Sequence, residues 1–132
     1  MVTQENDLPS ENERNIIGLR TAITILTGWK ASPSQIQKIL GISRHALDQA
    51  NARNAPAKLD GEQLERISIV LNIHAALRTL FENTANVYEF MARPNGNAFF
   101  DGRAPLDVIA EGGMQGLVET HRHIEGLLNG MW

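Results

Sequence analysis

Two short amphipathic periods meet at a glycine between residues 33 and 53, in PSQIQKILGISRHALDQANAR, and that junction limits what the chain can fold into. Ile36, Ile39 and Leu40 recur at helical spacing, and Gly41-Ile42 makes a turn. Ser43 follows with a side-chain oxygen suited to an N-cap, so a second helix starts there. Ala46, Leu47 and Ala50 of that helix face back on the first, leaving Arg44, His45, Asp48 and Gln49 on the open side. The pattern reads as a helix-turn-helix, in which the second helix lies in a DNA major groove with its N-terminal residues nearest the base edges. The competing reading is a plain corner of two helices that touches no nucleic acid.

Charge distribution favours the first reading. Residues 30–58 carry five basic side chains (Lys30, Lys38, Arg44, Arg53, Lys58) against the single acid Asp48, a local net of +4, while the whole chain carries −3. Basic charge is therefore gathered where a phosphate backbone would lie. Arg44, His45 and Gln49 are the expected base-edge readers, Arg44 suited to guanine and Gln49 to adenine. Ser34, Lys38, Ser43, Arg53 and Lys58 are the expected phosphate contacts. Both flanks are acidic, with four acids to two bases in residues 1–29 and ten to five in residues 59–132, so DNA is expected on one face only and a protein partner on the C-terminal half.

At 132 residues and 42% hydrophobic, the chain suffices for one compact domain or two very small ones that share packing. It has no cysteine, which excludes a disulfide framework, a thiolate metal site and a cysteine nucleophile. Its polar, acidic start has no signal-peptide pattern and no apolar run approaches a membrane span, so a cytoplasmic protein is expected.

Residues 1–10 read as a flexible arm. Ser10 with Glu13 has capping-box spacing and opens a helix expected to bury Ile16, Ile17, Leu19, Ile23, Leu26 and Trp29 and to end near Gly28; an exposed apolar edge on it would be a dimer seam. Pro56 breaks the chain after Arg53. Asp60 then caps a long helix over residues 61–82, with Leu64, Ile67, Val70, Leu71, His74, Leu77 and Phe81 on its stripe. His74 is expected to be a neutral, hydrogen-bonded core histidine. Thr84 starts a short helix carrying Val87, Tyr88, Phe90 and Met91, which Arg93-Pro94-Asn95-Gly96 stops. Phe99 and Phe100, in the turn-rich 97–104, must bury something. Pro105 fits the first turn of a short helix closed by Gly112-Gly113, and a last helix runs over residues 114–128 with 121–125 exposed. No strand pattern and no repeat occur. The expected fold is all-α: an N-terminal helix-turn-helix bundle (residues 11–82) joined by its long helix to a small helical C-terminal domain (residues 83–132).

No active site is visible. His121 and His123 project about 200° apart on a helix, so they do not share a metal ion. Asp101, Asp107 and Glu111 have no accompanying nucleophile, and Asp107 is explained by the dipole at a helix start. Gly112-Gly113 and Gly116 lack the preceding strand of a phosphate-binding loop. Neither a catalytic residue nor a cofactor nor a metal is expected.

The runs Ala85-Asn86-Val87-Tyr88, Arg93-Pro94-Asn95, Phe100-Asp101-Gly102-Arg103-Ala104-Pro105-Leu106-Asp107-Val108-Ile109 and Glu111-Gly112, in this order, resemble the C-terminal domain of Xre/MbcA/ParS-type antitoxins. Such families also carry a helix-turn-helix in the N-terminal half, matching residues 33–53. The resemblance implies an antitoxin that holds a RES-domain toxin inactive, the toxin being one that degrades NAD or uses it for ADP-ribosylation. It also implies a helix-turn-helix bound to the promoter shared by the two genes. Gly102, Pro105, Leu106 and Gly112 would set the fold, and His121, Arg122, Glu125, Leu128, Asn129, Met131 and Trp132 would face the toxin. The chain departs from the pattern at Tyr88, where an aromatic, often tryptophan, is usual, in a long spacer from Tyr88 to Pro94-Asn95, and in a closing Gly130 about one turn late. Trp132 either folds back on the core or anchors the tail in a partner's pocket. Palindromic operators mirror two-fold proteins, so a homodimer or a toxin-bridged hetero-oligomer is expected. The alternative is a stand-alone repressor whose C-terminal domain only dimerises.

Overall fold

A computed structural model describes residues 10–54 and 58–130. Among them are seven helices and no strand: α1 (Glu11–Gly28), α2 (Pro33–Leu40), α3 (Arg44–Asn51), α4 (Gly61–Leu80), α5 (Thr84–Ala92), α6 (Pro105–Glu111) and α7 (Gly113–Leu128). The chain is all-α.

Local signals set the helix starts. Ser10 Oγ accepts from Glu13 N, and Asp60 Oδ1 from Gln63 N at 2.7 Å, each with the reciprocal bond of a capping box. Ser32 caps α2 in the same way through Gln35, and Pro33 occupies the first turn. Ser43 Oγ accepts from Ala46 N at 3.0 Å, the single cap of α3. Removing such a cap costs a helix about 1 kcal/mol.

α4 is the spine. It packs most extensively against α7 and then α1, while α6 packs on α7 and also reaches α2. The buried cluster runs without a break from Leu19 on α1 to Ile124 on α7 and holds Trp29, Ile39, Leu40, Leu47, Ile73, Leu77, Met91 and Ile109. The helix-turn-helix and the C-terminal helices therefore share one interior. Gln35 Nε2, at the start of α2, donates to Asp107 Oδ1 on α6 at 3.2 Å, a direct link between the two.

Three expectations are corrected. Ile17 is 56% exposed. The buried stripe of α1 follows Ile16, Leu19, Ile23 and Leu26, and Ile17, one residue on from Ile16, is rotated about 100° away from it. Ile25 is buried instead. His74 is only half-buried, and its Nδ1 has no hydrogen-bond partner among the described residues. On α7, the span 121–125 is not uniformly exposed: Ile124 is fully buried. Met131 and Trp132 lie outside the described residues, as does Pro56.

Candidate functional site

The turn between α2 and α3 is built from three residues with separate tasks. Gly41 takes the left-handed conformation at φ 68° and closes α2. Ile42 is buried, pinning the turn to the core. Ser43 starts α3. α4 fastens this turn from behind: Gln63 Nε2 donates to Gly41 O at 2.9 Å, and Arg66 Nη1 donates to Ile39 O at 3.2 Å and Lys38 O at 3.3 Å. Those carbonyls end α2 and lack helical partners, so the Arg66 guanidinium satisfies what the helix leaves open. Glu62 holds Arg66 in place at 3.0 Å. Neither Arg66 nor Gln63 stands out as a partner of the turn in the sequence, because the contact spans more than twenty residues.

α3 presents an open face. Arg44, His45 and Asp48 are exposed and Gln49 is half-buried. Asp48 Oδ1 accepts from Arg44 Nε at 3.1 Å. Asn51 continues the face of Arg44 and Asp48 at helical spacing, and it too is exposed. Ser34 and Lys38 are exposed one turn apart on α2, and Ser43 is exposed beside Arg44. Arg53 lies at the other end of α3, where it lines a pocket with Arg20, Ile23, Thr24, Ala50 and Asn51. Lys58 borders a cleft at the start of α1 with Ser10, Glu11, Asn12 and Asn15. Arg44, His45, Ser43 and Lys38 are thus neighbours around one turn, while Arg53 and Lys58 stand apart from them.

The C-terminal helices rest on a loop held by its own hydrogen bonds. Asn95 N donates to Arg103 O at 3.1 Å and Gly102 N donates to Asn95 O at 2.8 Å. Arg103 Nε and Nη2 donate to Phe100 O at 2.8 Å and Phe99 O at 3.0 Å. This loop buries Phe100 and stacks Phe99 on His123 of α7, ring centroids 4.1 Å apart at 16°. His121 instead turns to Glu125, its Nε2 3.6 Å from Oε2. The two histidines take different partners. Among the described residues no group of three or more His, Asp or Glu is placed to hold a metal ion.

α6 and α7 meet at a close approach. A Cβ on Gly112 would lie 2.7 Å from Val108 O, and one on Gly116 would lie 2.9 Å from the same oxygen. α7 then exposes Val118, Arg122, Glu125 and Asn129 along one side, and Leu128 is half-buried against the core. Val118, 37% exposed, extends this face beyond the expected residues. Burial, and secondly the positive charge of Arg78, hold the His74 imidazole below its ordinary range, in a pocket shared with Phe81, Glu82, Thr84 and Val87.

No helix among the described residues is long and apolar enough to cross a membrane. A protein of Sinorhizobium fredii carrying the name Uncharacterized protein y4oB is 27% identical over 121 residues, which cover 92% of each chain. Residues 11–72 match the antitoxin Xre-like helix-turn-helix domain, and residues 76–130 match the antitoxin Xre/MbcA/ParS C-terminal toxin-binding domain. With these two domains in this order over one continuous core, the chain belongs to the Xre-type antitoxins.

Proposed function

We propose that this antitoxin neutralises a RES-domain, NAD-consuming toxin by covering its active site, and that it represses its own promoter through α3. The observation that carries the first half is the match of residues 76–130 to a toxin-binding domain, together with the exposed side of α7 that leads toward the chain end. Arg122, Glu125 and Asn129 on that side would meet the toxin, with His121 and Leu128 at its edge. Met131 and Trp132 follow, and an aromatic with two torsions loses little entropy when it fills a pocket. The second half is supported by the exposed Arg44 and His45 at the start of α3 and by Ser34, Lys38 and Ser43 beside them. We divide the chain into an arm (1–10), a DNA-binding unit (11–82) and a toxin-binding unit (83–132). The working assembly is a homodimer or two antitoxins bridged by toxin.

Co-expression with the product of the neighbouring gene tests this, using the full chain and a chain truncated after Asn129. The expected result is capture of the toxin by both and rescue of growth by the full chain alone. Rescue by the truncated chain removes the tail from the mechanism, and failure of both to capture removes the toxin assignment. Retardation of promoter DNA by the full chain tests autoregulation separately.

A further inference from the structure

The middle of α1 and the end of α3 enclose a pocket of about 160 Å³ lined by Arg20, Ile23, Thr24, Ala50, Asn51 and Arg53. Arg20 of α1 and Arg53, just past α3, both line it, and no acidic residue does. Arg20 Nε is buried and has no hydrogen-bond acceptor among the described residues. The Thr24 hydroxyl donates to Arg20 O at 3.0 Å and, being neutral, does not balance the charge of either arginine. Glu13, whose Oε1 accepts from Ser10 N at 3.2 Å in the cap of α1, lines the adjoining groove with both arginines but not this pocket. Arg53 holds a left-handed conformation at φ 62°, which turns the chain at the end of α3 and sets Arg53 in the same wall as Arg20.

Gathering two like charges at one pocket is unfavourable in the free protein. An oxyanion entering the pocket offsets that repulsion, and the planar guanidinium fork matches phosphate in particular. The pocket also has a telling position. Arg44, Asp48 and Asn51 lie along one exposed face of α3, and Asn51 is both the end of that face and part of the pocket wall. A duplex lying along α3 would bring its backbone to this rim.

We propose that Arg20 and Arg53 form a clamp for one backbone phosphate of duplex DNA, gripped at the C-terminal end of α3 while its N-terminal end reaches the bases. The clamp rests on the reading of α3 as the groove-binding helix. It assigns to α1, through Arg20, a contact with DNA that lies outside the helix-turn-helix itself.

The test is a titration of the promoter fragment and of an unrelated duplex at several salt concentrations, with the full chain and with R20Q, R20K, R53Q, R44A and R78Q. In R20Q and R53Q both duplexes should weaken alike, several-fold, with a smaller slope of log K against log salt, and with both arginines replaced together the slope should fall by about 0.9, the value for one phosphate. R20K should keep the slope, and R78Q, on α4, should match the unsubstituted chain. Thermal melting of each variant identifies any that fails to fold, and Arg53, outside α1, supplies the same readout without touching that helix. If R44A loses preference for the promoter while R20Q and R53Q keep the full slope, the clamp is overturned and the helix-turn-helix reading stands. If the unsubstituted chain retards neither duplex at low salt, both fail together. If inorganic phosphate raises the melting temperature through Arg20 while the DNA slopes coincide, the pocket is an anion site unrelated to DNA and the clamp is again overturned.

Discussion

The Asp48 carboxylate lies 3.1 Å from Arg44 Nε, one turn along the open face of α3. Both side chains are largely exposed, at 65% and 60%, and such a surface pair contributes only about 0–1 kcal/mol to stability. D48A should therefore melt like the parent. It should bind unrelated DNA more tightly, because a negative charge facing the phosphates is gone, and discriminate less among sequences, because Arg44 is no longer held by its Nε. R44A should lose about 1–3 kcal/mol of promoter affinity. Competition titrations with promoter and unrelated duplexes check both; equal discrimination by D48A and the parent contradicts a role for the pair.

Arg66 should matter more than its place on α4 suggests. Its side chain donates to the carbonyls of Lys38 and Ile39 and pairs with Glu62, so R66A leaves the end of α2 without partners. These bonds are exposed or part-buried, so each is worth about 0.5–1.5 kcal/mol net. Urea denaturation should show R66A destabilised by a similar amount, with R66K recovering part of it. Its promoter affinity should fall as well, since the α2–α3 turn carries Ser43 and Arg44.

What the sequence disclosed follows the range of the forces involved. The Ser10–Glu13 and Asp60–Gln63 boxes, the Gly41 turn and the Ser43 cap are set within three or four residues, and each was readable from spacing alone. The Phe99–Phe100 pair announced a buried contact but not that His123, more than twenty residues on, would stack on Phe99. Ile17 looked like core because α1 is apolar on two adjacent positions, and only the docking of α4 and α3 decided which of Ile16 and Ile17 turns inward. Gln35–Asp107, Arg66 and the Arg20–Arg53 pocket depend on pairings between distant elements, which no local pattern encodes.

Gly112 and Gly116 should be intolerant of a single methyl group. At neither is φ positive; the obstacle is the Val108 carbonyl, 2.7 Å and 2.9 Å from the added carbon, and backbone cannot swing aside as a side-chain tip can. G112A and G116A should each lose about 1–3 kcal/mol, the usual cost of overpacking, and toxin capture should weaken as α7 shifts on α6. Chemical denaturation measures the first effect and pull-down the second. By contrast G61A, where nothing lies within 4 Å of the new carbon, should be tolerated.

Stability should fall at mildly acidic pH through His74. Its ordinary value is 6.5, and burial followed by the charge of Arg78 holds it lower in the folded chain. The unfolded chain then takes up the proton first as pH drops, so the contribution of this group is complete above 6.5, declines through the interval down to the lowered value and levels off below it. H74F should flatten that part of the profile in urea denaturation at a series of pH values. R78A should raise the imidazole partway toward its ordinary value in an NMR titration, leaving the shift that burial causes.

Gln35 of α2 meets Asp107 of α6 at the surface, beside one continuous core, so the two ends of the molecule lie within a single packed body. Occupancy at one end and occupancy at the other are then linked quantities. Whatever factor a protein bound on α7 applies to the affinity of α3 for its ligand, the ligand of α3 applies to the protein on α7 in equal measure, since the two routes to the doubly bound state must sum to the same free energy. The N-terminus of α2 is where the two ends come closest to each other, because Gln35 meets α6 there one residue from Ser34 on the proposed DNA-facing side.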